Sequence, residues 1–353
     1  MNFSISSSDA LPLARTRASG PRLFVASAAL TALIVLLALW ALTSSFREGF
    51  LAPEYGMWMA KREWVQNCRF EPTVVLGDSR MVAGVIPAKL GNTTNLALGG
   101  ATPIEMYYTM LHASACPNPP RRVVMSFSPE QLMGTEYFWP RTALFGYLTN
   151  DELNQIRREA RHVGDKALYP APNIGDFDAI FTNWLYAHHF PSYYMSSIIN
   201  GRVIGRLGAY RQIQQEIADT GGQHFYGQAN GAHDTAEEDD HDSFHASPLL
   251  DVYFTKLLAL CKQAGIPVYY IAAPWNDTTW SRLHPGFADQ FQAYLQNVAQ
   301  RFPNLHLVTP IAHMDDAYFG DEYHLNAKGA EIFSAQVAAT LRQAGERNTA
   351  DRQ

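Results

Sequence analysis

Three short stretches of this 353-residue chain carry side chains that can do chemistry together: Gly77-Asp78-Ser79-Arg80, Asn95-Leu96-Ala97-Leu98-Gly99-Gly100-Ala101-Thr102, and Asp321-Glu322-Tyr323-His324-Leu325-Asn326. A serine hydroxyl is a poor nucleophile until a base takes its proton. His324 is the candidate base, and Asp321, three residues earlier, can hold the other ring nitrogen, fix the tautomer and stabilise the imidazolium. The backbone N–H of Ser79 can face a developing oxyanion. Gly99 or Gly100, with no Cβ to keep a ligand away, can present a second N–H. Each stretch alone has a plain structural reading, since a serine here can simply cap a helix and Asp321 a turn. Their joint occurrence at the ends of strands points to nucleophilic acyl chemistry.

Those strand ends come from a regular alternation. β-rich runs at Thr73–Gly77, Thr94–Leu98, Arg122–Phe127, Ile266–Ala272 and Leu305–Thr309 are interleaved with stretches of helical spacing at Ile104–Ser114, Leu249–Lys262, Phe287–Phe302 and Ala327–Leu341. Pro103 suits a first helical turn and Gly265 the position after a helix end. The pattern predicts an α/β fold with five parallel strands wrapped by helices. In such a sheet, ligands bind outside the carboxyl ends of the strands, where all three stretches fall.

A long interval between the third and fourth strands, 129–248, does not fit a simple crossover and reads as a partly helical insertion. Its first part is aromatic (Tyr137, Phe138, Trp139, Phe145, Tyr147, Trp184, Tyr186, Tyr193, Tyr194), which suits a subdomain core or a carbohydrate or acyl platform. Its last part is acidic and reads as a solvated loop; a metal site from His224, His233, His241 and His245 with Asp239 or Asp240 is the weaker reading, because the spacing matches no ligand pattern.

Composition narrows the setting. Lys and Arg number 27 against 33 Asp and Glu, a net charge of −6 that disfavours a nucleic-acid partner. Only 17% of residues are charged, against roughly 25% in soluble domains. A small part of the deficit lies in Leu23–Leu42, which has no charge and is long enough to span a bilayer. Arg15, Arg17 and Arg22 precede it, favouring a cytoplasmic N-terminus and a body outside. A cleaved signal peptide fits less well, because the apolar run is long and no A-x-A site follows. Cys68, Cys116 and Cys261 allow at most one disulfide and leave one thiol. The expected organisation is a tail (1–22), a transmembrane anchor (23–43), a linker (44–70), a catalytic domain (71–345) with its insertion, and a C-terminal tail (346–353).

The three stretches together resemble the SGNH (GDSL-like) hydrolase superfamily. Gly77-Asp78-Ser79-Arg80 looks like its first block, Asn95 to Gly100 its second, and Asp321-x-x-His324-Leu325-Asn326 its last. The likeness covers 72–127 and 249–341 and leaves the insertion unexplained. It implies a three-layer α/β/α fold, Ser79 as nucleophile, His324 and Asp321 as its partners, and the N–H groups of Ser79 and Gly100 as the oxyanion hole, with no cofactor and no metal. The family's oxyanion asparagine is absent from Ser126–Leu132 (SFSPEQL), and no asparagine nearby replaces it. That departure, with the anchor, makes the chain similar in layout to membrane-anchored proteins of envelope acylation, such as those of alginate O-acetylation and teichoic acid D-alanine transfer. The latter also tends to carry a Ser-Pro after the third strand, as at Ser128-Pro129.

By that likeness the chain is a serine O-acyltransferase or esterase on the periplasmic side of the inner membrane. It would act on an exported polysaccharide or an acylated small molecule, beside a multipass membrane-bound O-acyltransferase. Arg80 is a candidate ligand for an anionic group, or one half of a surface salt bridge. A catalytically silent assembly subunit is the alternative that the missing asparagine suggests.

Overall fold

The structure, a computed structural model, describes residues 20–165, 168, 181, 183–185, 187–188, 194–199, 201–227, 230–308 and 312–350. Arg15, Arg17, Tyr186, Tyr193 and Thr309 lie outside the described residues, as does the chain end 351–353. Five parallel strands form one sheet: β1 (Thr73–Gly77), β2 (Thr93–Asn95), β3 (Arg122–Ser126), β4 (Val268–Tyr270) and β5 (Leu305–Leu307), in the order β2-β1-β3-β4-β5. The register aligns Thr73 with both Thr93 and Arg122, Gly77 with Ser126, Val123 with Val268, and Val268 with Leu305. The chain builds outward from β1 to β2, then reverses to β3, so the strand order switches between β1 and β3. That reversal is where an open α/β sheet opens a crevice at its carboxyl edge.

Helices cover both faces. The long ones are α1 (Gly20–Ser45), α2 (Glu54–Gln66), α4 (Pro103–Ser114), α5 (Asn150–Val163), α6 (Val203–Thr220), α7 (Pro248–Gln263), α8 (Phe287–Arg301) and α9 (Ala327–Ala350); α3 is the short helix Ser79–Gly84. Side chains alternate along each strand. Val74, Leu76, Val123, Met125, Val268 and Tyr270 pack on one face with residues of α4, α7 and α8. Val75, Val124 and Tyr269 pack on the other with Met81 and Val82 of α3 and Phe333 and Val337 of α9. Burial on both faces explains why the strands read as unbroken apolar runs.

Several sequence-based boundaries move, for physical reasons. β2 spans Thr93–Asn95 rather than reaching Leu98: the Ala97 amide turns to the Asn95 side chain at 3.1 Å, although the Leu96 and Leu98 amides still donate to Val75 O and Gly77 O. β4 and β5 are three residues each, shorter than expected. The stretch 44–70 is not a free linker: α2 buries Met57 and Trp58 completely and even Lys61, whose ammonium donates to Ala97 O at 2.7 Å. Burial drives the Lys61 pKa well below its usual value. The insertion's Phe138, Phe145 and Tyr147 enter the main core instead of forming a subdomain core of their own.

α1 is 26 residues long with a mean hydropathy of 2.5 in its most apolar window, and none of that window is buried against the body. At 1.5 Å per residue it measures about 39 Å, enough by length and composition to cross a membrane. A disulfide joins Cys68, just after α2, to Cys116, just after α4. Cys261 is free and buried on α7, its thiol pushed up to about 12 by burial, which leaves it inert.

Candidate active site

Ser79 is the first residue of α3, directly beyond the end of β1 and beside the switch point. The turn that presents it requires glycine at 77: its φ is +139°, and a Cβ there would stand 2.1 Å from Ser126 O. Asp78 is buried and structural. Its Oδ1 accepts the Arg80 amide at 3.0 Å, capping α3, and its Oδ2 accepts the Ser128 amide at 2.6 Å, tying β1's exit to that of β3. Asn95 is structural too, donating to Met81 O and Val85 O at the end of α3.

Asp321 and His324 share one tight turn. Asp321 Oδ1 accepts the amides of Tyr323 (2.9 Å) and His324 (2.7 Å), and its two oxygens lie 2.9 and 2.8 Å from His324 Nδ1. Burial alone would raise the Asp321 carboxyl. The hydrogen bond and charge of His324, with the two amides, outweigh it and hold the group below its ordinary value. Nδ1–H donating to an ionised Asp321 leaves Nε2 with the lone pair, as a base requires. Asn326, next along, caps α9 by accepting the Lys328 and Gly329 amides, each at 3.1 Å.

Ser79, Gly100 and His324 line one cavity of about 160 Å³, together with Arg80, Ser128, Gln131, Arg141, Tyr226 and Tyr323. His324 is 9% exposed, and its Nε2 is buried without a hydrogen-bond partner, so no bond to Ser79 is made in this arrangement. The amides of Ser79 and Gly100 donate to no other described residue. Gly100 has φ +71°, and a Cβ there would meet Arg141 Nη1 at 2.6 Å. Arg141 braces this turn, donating to Gly99 O at 2.8 Å and pairing with Glu54 Oε2 at 3.2 Å.

Arg80 is on the wall, but its guanidinium is taken by Glu238, a pair with both side chains almost wholly buried. It is therefore neither a surface salt bridge nor an uncommitted cation for an anionic group. No asparagine follows β3; the wall there carries Ser128 and the Gln131 amide. The histidines of the acidic tract disperse, with His224 meeting Glu216, His233 meeting Asp316, and His241 meeting Glu130. Among the described residues no cluster of His, Cys, Asp and Glu has a metal-holding arrangement.

No family model matches the chain, and no curated protein matches it. The site therefore stands on its own geometry. Tyr226, Arg141, Glu54 and Gln131 were not anticipated from the sequence. Each reaches the cavity by tertiary packing; Gln131 lay within Ser126–Leu132, and Arg141 and Tyr226 within the insertion, but no role was attached to any of them.

Proposed function

We propose that the chain is a membrane-anchored, SGNH-like serine acyltransferase or esterase, working through an acyl-serine intermediate on an exported polysaccharide or related acyl ester. The observation that carries this reading is the convergence of Ser79, the Asp321–His324 pair and two undonated amides on one cavity at the strand-order switch.

In the first step Ser79 Oγ bonds to the acyl carbon, the carbonyl π pair moves onto oxygen, and the serine proton passes to His324 Nε2. Asp321 keeps the ring in the tautomer that accepts it. The amides of Ser79 and Gly100 hold the oxyanion. Collapse expels the leaving alkoxide, which takes the proton back from His324. A sugar hydroxyl or water then repeats the sequence in reverse to release Ser79. His324 Nε2 reaches Ser79 when substrate orders the site, since catalytic hydrogen bonds are often long without substrate.

Two features support a membrane-tethered location outside the cytoplasm, and we take the membrane to be the inner one. α1 can span a bilayer, and the Cys68–Cys116 bond suits an oxidising compartment. A membrane-embedded acyl donor protein is then the fitting partner, because an acyl group must be supplied across the membrane.

The test is turnover of a chromogenic acetyl ester by the detergent-solubilised full chain. Ser79→Ala should lose several orders of magnitude in kcat. Covalent labelling of wild type by a serine-directed phosphonate separates this reading from a silent assembly subunit. A protein that neither labels nor turns over would refute the enzyme.

A further inference from the structure

The insertion between β3 and β4 contributes one segment, Gly221 to Gly227, that touches the Asn95 and Asp321 stretches and the helix that Ser79 begins. Gly221 O accepts the Asn95 amide at 2.8 Å, and Gly222, at φ +109°, lies so close that a Cβ would stand 2.1 Å from Asn95 O. Gln223 Nε2 donates to Ala83 O at 3.1 Å, at the end of the helix that Ser79 begins. Gly227 packs backbone to backbone on Gly320, next to Asp321, where a Cβ on Gly227 would be 2.3 Å from the Gly320 carbonyl. Such approaches are open only to glycine. The segment is therefore a strap seated on the site.

Tyr226 is the side chain that this strap delivers. Its ring stacks on the His324 imidazole, centroids 4.5 Å apart and planes 27° apart. Its hydroxyl is buried, makes no hydrogen bond, and lies where a Cβ on Gly99 would come within 2.5 Å of it. The ring, not the hydroxyl, is thus what the site uses. Asp321 holds one edge of His324 through Nδ1, which leaves the imidazole plane free to tilt about that edge. A flat ring against one face removes that freedom, and the π face also favours the imidazolium that forms when Ser79 is deprotonated.

We propose that Tyr226 is a positioning residue for His324, and that the strap Gly221–Gly227 is the part of the insertion that completes the catalytic site. This inference rests on the acyl-serine reading of Ser79, but part of its test does not.

The experiment uses the detergent-solubilised full chain with Tyr226→Phe, Tyr226→Leu and Gly99→Ala. Tyr226→Phe keeps the ring and should hold kcat within about threefold. Tyr226→Leu should lower kcat by about 10- to 100-fold with little change in KM, as a misplaced catalytic group does. Gly99→Ala should act like Tyr226→Leu by pushing the hydroxyl away. Adding Tyr226→Phe to Gly99→Ala should restore most of kcat, since the severe clash is with the hydroxyl oxygen at 2.5 Å, while Glu54 Oε1 at 3.0 Å, the end of a flexible side chain, and the ring carbon at 3.3 Å need give only slightly. That double variant decides the matter even where Tyr226→Leu fails to fold.

In parallel, the downfield Nδ1 proton resonance of His324 should persist in Tyr226→Phe and broaden or vanish in Tyr226→Leu. A Leu variant with wild-type kcat and resonance overturns the proposal. So does a Phe variant as impaired as Leu, or a Gly99→Ala loss that Tyr226→Phe leaves unrelieved. If wild type neither turns over nor labels at Ser79, the acyl-serine reading fails by itself, and the resonance then decides whether Tyr226 sets the imidazole.

Discussion

Asp78 links the exits of the first and third strands: its carboxylate accepts the Ser128 amide at 2.6 Å and the Arg80 amide at 3.0 Å while 1% exposed. It thereby fixes the spacing between the serine turn and the Ser128–Gln131 wall of the cavity. Asp78→Ala would leave two buried amides without acceptors, at a cost of about 2–4 kcal/mol. Asp78→Asn keeps one acceptor oxygen but turns an NH2 toward a donor, so it should fall between. Thermal unfolding of the full chain in detergent should rank wild type above Asp78→Asn above Asp78→Ala. Ester turnover should fall in the same order.

The serine, aspartate and histidine were legible in the sequence because each belongs to a local motif whose geometry is set within a few residues. β1 was legible to the residue, since its apolar run stops at Gly77, where only glycine fits. The remaining wall was not. Tyr226 meets His324, Arg141 meets Glu54, and Arg80 meets Glu238 across 158 positions, with no periodicity to announce the pairing. α2 was hidden for a different reason. Its Lys61-Arg62-Glu63 run suggests a solvated surface, yet Lys61 is buried against Ala97 O. Which two cysteines pair was likewise unreadable, since it depends on α2 lying beside α4.

The Cys68–Cys116 bond closes a loop with a sequence separation of 48. On the chain-entropy account this stabilises the fold by about 4 kcal/mol. Cys68→Ser should therefore lower the melting temperature by roughly 6 °C. Protein denatured without reductant should expose one alkylatable thiol, Cys261, and after reduction three. Three accessible thiols in protein taken directly from the membrane fraction would contradict both the bond and the oxidising compartment.

Asp321 titrates below its ordinary value in the folded chain. Its ionised form therefore stabilises the fold at every pH above the unfolded carboxylate value, about 3.9. That contribution is lost as the pH falls through the folded value. Asp321→Asn should melt below wild type at pH 5 and above, and the gap should close below about pH 4. The same variant should lose on the order of 10³- to 10⁴-fold in kcat, because Asn can hold His324 in the wrong tautomer. A gap that stays fully open well below about pH 4 would show that the ionised carboxylate is not what stabilises the turn.

Arg80 and Glu238 form an ion pair with side chains 6% and 0% exposed, fastening the turn Glu237–Asp240 of the insertion to the serine helix. Arg80 also lies over the Tyr323 ring, 5.7 Å from its centroid, so the pair reaches the Asp321–His324 turn. A buried pair gains little over an apolar substitute, yet breaking one side strands a charge. Glu238→Gln or Arg80→Met alone should thus destabilise by about 3–5 kcal/mol. The double variant Arg80→Met with Glu238→Leu should recover most of that loss, a coupling that unfolding of the four proteins in a cycle would measure. Turnover need not recover with it. The apolar pair would restore the fold, but without the guanidinium over Tyr323 the histidine turn loses a contact that only the charged residue makes. Stability restored with kcat still depressed is the expected result; additive losses in stability would show that the two side chains do not act as a pair.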